Sequence, residues 1–362
     1  MSSLPIRVLI VEDSPIALTI LKRMLSSSGD ILIVGTATNG KKALAIVNEV
    51  NPDVICTDLN MPEMNGLEFT QEIMAIYPKP ILVISASVQE TDHDNVFQLL
   101  QAGAVDIFPK PVGGLDINYQ KSQQELINKI KILAGVKVFT KHRRNSSVLI
   151  SDAPLKKPPI NIITEIPIIN QSLRKIVVIG ASTGGPQALD TILTSLPSNF
   201  PLPIICIQHI SEGFLQGLVD WLNPRCKLNI KIAQNGELAQ AGNIYFAPEQ
   251  KHLELDLYGK FAYSSSPPLA GHRPAITITF NSVAKIYKTG VIAVLLTGMG
   301  RDGAEGMRNI YNSGGLTIAQ DEFSCVVFGM PKEAIALKAV NHILPLSAIA
   351  NKLLSAVNLI PS

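Results

Sequence analysis

Gly180-Ala181-Ser182-Thr183-Gly184-Gly185-Pro186 sets a serine among small residues. The run fits G-x-S-x-G, in which a sharp strand-to-helix turn projects the hydroxyl as a nucleophile. A glycine-rich turn opening a helix can instead bind phosphate through its backbone N–H groups, or be purely structural; the GxGxxG and GK[ST] patterns of nucleotide sites are both absent. A nucleophilic serine needs a base, and the base needs an orienting acid. His209 closes the apolar run Pro203 to Gln208, and Asp302 lies in Thr297-Gly298-Met299-Gly300-Arg301-Asp302-Gly303, just past Val291 to Leu296. If these runs are parallel strands, their ends share one sheet edge, and Ser182, His209 and Asp302 can meet there despite their separation in sequence. His252 and His272 compete as bases, but the first begins a hairpin strand and the second precedes Arg273-Pro274 in a loop.

A second group suits phosphoryl chemistry. Glu12 and Asp13 follow Val8-Leu9-Ile10-Val11, and Asp58 closes the run that begins at Val54. Carboxylates converging on one strand edge would repel one another unless a hard cation such as Mg²⁺ held them. Ser85 ends Ile81-Leu82-Val83-Ile84, and Lys110 follows a fifth apolar run, so a hydroxyl and an ammonium could receive the oxygens and charge of a phosphoryl group on Asp58.

The elements that must position these residues are short apolar runs alternating with amphipathic stretches, which predicts βα units around parallel sheets. In the first half, Ala17, Leu18, Ile20, Leu21, Met24 and Leu25 recur at helical spacing. A last helix is expected over Gln120 to Leu133. Lys137, Lys141, Arg143, Arg144, Lys156 and Lys157 then face a single acid, Asp152, and prolines follow between Pro154 and Pro167, the composition of a tether. A second α/β series begins at Ile176 and runs through Ile204 to Val291. Asn243 to Tyr263 breaks the alternation: Leu253, Leu255 and Leu257 at period two before Tyr258-Gly259-Lys260 read as a β-hairpin. The expected divisions are 1–136, a basic linker 137–172, and 173–362.

Composition bounds the function. A chain of 362 residues, 46% hydrophobic and 17% charged, has room for about two globular domains and is too apolar for disorder. Its 31 Lys plus Arg against 29 Asp plus Glu give a net charge of +2, without the basic footprint of a nucleic-acid binder. No apolar run approaches a membrane span and no signal-peptide core follows Arg7, so a cytoplasmic protein without membrane insertion is expected. The four cysteines form no CxxC pair.

Val11-Glu12-Asp13-Ser14, the stretch Thr57 to Gly66 and Pro109-Lys110-Pro111 resemble the receiver domain of response regulators. The resemblance implies a flavodoxin-like fold with a five-stranded parallel sheet, Asp58 as phosphoacceptor, and Glu12, Asp13, Asp58 and the carbonyl of Asn60 around Mg²⁺. It also implies Ser85 and Lys110 on the phosphoryl group and a histidine kinase as donor. The often aromatic position three before the lysine is Ile107 here.

The stretch Gly180 to Pro186, Gln208-His209, Gly271-His272-Arg273-Pro274, the stretch Leu296 to Gly303 and Val327-Phe328-Gly329-Met330-Pro331 together resemble the chemotaxis methylesterase family, CheB. That resemblance implies a three-layer α/β/α Rossmann-like domain with a β-hairpin. It implies hydrolysis of glutamyl methyl esters on methyl-accepting chemoreceptors without a cofactor for that step, and deamidation of receptor glutamines. Ser182, His209 and Asp302 would be catalytic, Met299 would contribute backbone to the oxyanion hole, and Thr183 would help position His209. Ile210-Ser211 and Glu249-Gln250-Lys251 depart from the family pattern at the cleft rim.

Overall fold

The computed structural model describes residues 4–86, 93–111, 117–136, 138 and 175–357. The linker expected over 137–172 lies outside the described residues, Val138 excepted.

The N-terminal half alternates strand and helix: β1 (Ile6–Val11), α1 (Pro15–Ser26), β2 (Ile31–Ala37), α2 (Gly40–Val50), β3 (Val54–Asp58), α3 (Gly66–Ile76), β4 (Ile81–Ser85), α4 (His93–Ala102), β5 (Asp106–Pro109) and α5 (Ile117–Leu133). The strands form one sheet in the order β2-β1-β3-β4-β5, every pair parallel. Local chemistry starts the helices where the strand ends leave off. The Ser14 hydroxyl accepts from the Ala17 N–H at the head of α1, with Pro15 in the first turn. At α3, Asn65 and Glu68 close a capping box that satisfies two otherwise unpaired N–H groups.

The C-terminal half carries β6 (Ile176–Ala181), α6 (Gly185–Leu193), β7 (Ile204–Gln208), α7 (Leu215–Leu222), β8 (Asn229–Ile232), β9 (Asn243–Phe246), β10 (His252–Leu255), β11 (Phe261–Ser264), α8 (Ile276–Tyr287), β12 (Val291–Leu295), α9 (Ala304–Asn312), β13 (Leu316–Gln320), α10 (Met330–Ala336), β14 (His342–Leu344) and α11 (Leu346–Ala356). Seven parallel strands run in the order β14-β13-β12-β6-β7-β9-β8. From β6 the chain winds outward through β7 in one direction, then returns at β12 and winds the other way. The carboxyl ends of β6, β7 and β12 therefore flank the point where strand order reverses, the place where an open α/β sheet has its crevice. β6, β7 and β12 are buried throughout, as strands covered on both faces must be.

The predicted hairpin forms from β10 and β11, antiparallel. Two details differ from expectation. Asn243 to Phe246 belongs to the parallel sheet as β9, because its alternation break falls after Phe246, and Leu257 sits in the hairpin turn, 91% exposed, so period two ends at Leu255. Among the described residues no helix is long and apolar enough to cross a membrane.

The halves share an interface. Phe97 of α4 stacks on Trp221 of α7 with ring centroids 5.5 Å apart, and the Gln187 side chain donates to the Ala104 carbonyl at 2.9 Å. Buried apolar side chains of α4 and α7 belong to one continuous core.

Candidate active site

The turn after β6 holds Ser182. Gly184 adopts φ +76°, a left-handed conformation, and a Cβ there would lie 2.6 Å from Val326, so the residue type and the close approach are both required. Ala181 pairs with Gln208 in the β6–β7 register, and the His209 N–H donates to the Ala181 carbonyl at 2.9 Å. Ser182 and His209 are thus the next residues beyond a matched pair on adjacent strands. On the other flank the Ser182 N–H donates to the Thr297 carbonyl at 3.0 Å, beyond the end of β12. Gly298 lies so close that a Cβ on it would stand 2.6 Å from the Ser182 Cβ. Met299, on the same turn, is half exposed at the rim.

His209 Nε2 and Asp302 Oδ2 are 3.0 Å apart, and the two side chains are almost fully buried. Asp302 also caps α8: Oδ2 accepts from the Ile276 N–H at 2.7 Å and Oδ1 from the Thr277 N–H at 2.9 Å. Burial alone would raise the Asp302 pKa, but the hydrogen bond and charge of His209 and the N–H of Thr277 hold the carboxyl well below the usual range. An anionic Asp302 requires the Nε2–H tautomer of His209 and leaves Nδ1 with a free lone pair. Nδ1 is buried and has no partner among the described residues. The arrangement supplies a hydroxyl and an unpaired base at neighbouring strand ends, with an acid fixing the tautomer.

Other expectations resolve differently. The Thr183 hydroxyl donates to Asp106 Oδ2 at 3.1 Å, not to His209. Asp106, on β5, also pairs with Lys129, so an anion of the N-terminal half reaches the residue next to Ser182. His252 is fully buried and joins β10 to its neighbours, with Nε2 on the Pro267 carbonyl and Nδ1 accepting from the Ala275 N–H. His272 lies face to face with His209, ring centroids 3.7 Å apart at an interplanar angle of 6°. Sequence reasoning set it aside because it ends no strand. Glu249, a departure at the rim, accepts from the N–H groups of Gly213 and Leu215 at 2.9 to 3.0 Å and so shapes the entry to α7. Gln250 donates to Glu212 at 2.8 Å, and a shallow depression opens here, lined by Gln208, Ile210, Glu249, Arg273 and Pro274.

At the edge of the first sheet, ligand oxygens of Glu12, Asp13 and Asp58 lie within 4.8 Å of one another. Lys110 Nζ reaches Glu12 Oε1 and Asp58 Oδ2, each at 2.8 Å. Burial pushes the Glu12 and Asp58 carboxyls above their ordinary values despite Lys110, whereas the two carboxylates hold the Lys110 ammonium up against burial. Glu12 Oε2 is buried without a hydrogen-bond partner among the described residues, an acceptor suited to a cation. The donor set, all oxygen and mostly carboxylate, fits Mg²⁺. The Ser85 hydroxyl donates to the Ala86 carbonyl at 3.2 Å. Ile107 is buried in the core, 4% exposed.

Known proteins resemble this chain in both halves. Residues 8–118 match the family model described as the response regulator receiver domain, and residues 177–353 match that of the CheB methylesterase. A protein-glutamate methylesterase/protein-glutamine glutaminase of Nitrosospira multiformis is 38% identical over 352 residues, covering 97% of each chain. One of Methanospirillum hungatei is 40% identical over 351 residues, 97% of this chain and 98% of the relative. The crystal structure of the Thermotoga maritima CheB methylesterase catalytic domain is 43% identical with a TM-score of 0.49, covering 50% of this chain and 97% of that one.

Proposed function

The chain belongs to the CheB methylesterase family, with a receiver domain ahead of its methylesterase region, and from that premise we propose that it hydrolyses glutamyl methyl esters on methyl-accepting chemoreceptors and deamidates receptor glutamines. The observation that carries the reading is the His209–Asp302 pair at 3.0 Å, with Nδ1 unpartnered and Ser182 on the adjacent strand end. The domains divide at 1–136 and 173–362, in the cytoplasm, joined by the linker 137–172.

The reaction follows from the atoms. Nδ1 of His209 takes the Ser182 proton as Oγ attacks the ester carbonyl, and Asp302 stabilises the imidazolium that forms. The backbone of Met299, on the turn packed against Ser182, faces the developing oxyanion. His209 then returns the proton to the departing methoxide, releasing methanol, and activates the water that hydrolyses the acyl-enzyme. A glutamine amide follows the same course with ammonia leaving.

Regulation comes from the receiver. A histidine kinase is the phosphodonor and Asp58 the acceptor, with Ser85 and Lys110 on the phosphoryl oxygens. Glu12, Asp13, Asp58 and the Asn60 carbonyl would hold Mg²⁺, which neutralises charge at the phosphoryl oxygens when bound. The contacts of Asp106 with Thr183 and of Gln187 with Ala104 favour a resting state in which the receiver covers the cleft. Phosphorylation shifts the population away from that state.

A small-molecule phosphodonor with Mg²⁺ is expected to accelerate methanol release from carboxyl-methylated receptor membranes, and Asp58→Ala to abolish the acceleration. Acceleration that survives in Asp58→Ala contradicts the regulatory reading. Turnover of soluble esters but none of receptors contradicts the substrate assignment.

A further inference from the structure

We infer that His272 is a positioning residue for the base: its ring, stacked on His209, fixes the plane of that imidazole and so limits where Nδ1 can lie when it takes the Ser182 proton. The inference rests on the reading of His209 as the base.

Among the described residues the His209 ring is held at one edge, by the contact of Nε2 with Asp302 at 3.0 Å. One hydrogen bond fixes a point and leaves the ring free to tilt about it, and among the described residues Nδ1 has no partner to oppose the tilt. A flat surface against one face removes that freedom. His272 provides it, with centroids 3.7 Å apart and planes within 6°. The support suits the chemistry because the ring facing a nascent imidazolium must itself stay uncharged. Burial, the neighbouring His209 and the more distant Lys129 pull the His272 pKa down to about 4 against the opposing pull of Asp302, so the second ring is neutral at working pH. A neutral π-face against a cation is attractive, whereas two imidazolium rings at this distance would repel.

The loop that carries His272 is held without its side chain. The N–H of His272 donates to the Leu269 carbonyl at 3.0 Å and the N–H of Leu269 returns to the His272 carbonyl at 3.1 Å, with Gly271 at φ +85° making the turn. Substitution of the imidazole therefore leaves the loop backbone its hydrogen bonds.

The test compares native protein, His272→Ala, His272→Phe and Ser182→Ala in full-length chains with phosphodonor and Mg²⁺. Methanol release from methylated receptor membranes and the rate of Ser182 labelling by a fluorophosphonate are read together, and thermal unfolding checks that each variant is folded. The expected result is a loss of about tenfold or more in kcat and in labelling rate for His272→Ala with KM within about twofold, and recovery to within about threefold in His272→Phe, which restores a flat neutral face. Native rates in His272→Ala overturn the inference while the Ser182 reading stands. Equal losses in Ala and Phe also overturn it, because a flat face is then not what His272 supplies. Full turnover in Ser182→Ala overturns the underlying reading, and the inference with it.

Discussion

Asp302 serves two structures with one carboxylate. It caps α8 through the N–H groups of Ile276 and Thr277 and holds His209 through Nε2, so the acid that sets the His209 tautomer is itself fixed by a helix start. Asp302→Asn places an amide NH₂ against one of these donors. Turnover is expected to fall on the order of 10⁴-fold, the scale of a wrong-tautomer defect in a serine triad. Loss of the charged cap is expected to lower stability by about 1 kcal/mol, read from denaturant midpoints. His272 makes a second prediction. Its folded-state pKa, about 4, lies below the ordinary 6.5 because burial and His209 disfavour its charge. As pH falls the unfolded chain takes up this proton first, so stability present above pH 6.5 is lost progressively between 6.5 and 4. Unfolding free energies at pH 7.5 and 4.5 should differ by roughly 2–3 kcal/mol more in native protein than in His272→Phe. Equal differences would contradict this.

At the scale of elements, the site depends on how closely two turns approach. The elbow after β6 and the turn after β12 meet where Gly298 faces Ser182, and a Cβ on Gly298 would also come within 2.5 Å of the Met330 methyl. Gly298→Ala must push one turn away. The expected cost is about 1–3 kcal/mol of stability with a loss of roughly 100-fold in turnover, since small displacements near a reacting atom weigh more on rate than on folding. Unchanged turnover would show that the turns do not define the nucleophile's position. These elements were largely legible in sequence. Apolar runs predicted the strands, and a residue just past a strand end lies on a known edge, which is why Ser182, His209, Asp302, Glu12, Asp58 and Lys110 could be named together. What escaped was placed by other means. His272 reaches His209 from a loop, and loop paths are not periodic. Asp106 reaches Thr183 from the other half of the chain, a contact no spacing encodes. β9 was hidden because Asn243-Ile244-Tyr245-Phe246 is only four residues long and lies directly ahead of the hairpin in sequence, so nothing in the chain marks it off from the hairpin.

For the whole molecule, the two halves meet at a surface that includes the turn carrying Ser182. Its polar contacts, Asp106 with Thr183 and Gln187 with Ala104, join the Phe97–Trp221 stack. Each hydrogen bond is worth about 1 kcal/mol, so Asp106→Ala and Gln187→Ala should each raise esterase activity without phosphodonor by about fivefold, and reduce the further acceleration by phosphodonor correspondingly. Resting activity equal to that of native protein would mean that these contacts do not restrain the cleft. The central claim is that a serine esterase sits at the strand-order reversal of the second sheet and acts on receptor glutamyl esters. Its most direct test is methanol release from carboxyl-methylated chemoreceptor membranes by native protein and Ser182→Ala, each with phosphodonor and Mg²⁺. Release by the native chain that falls to background in Ser182→Ala is the predicted result; release that persists in Ser182→Ala, or none from folded native protein, would contradict it.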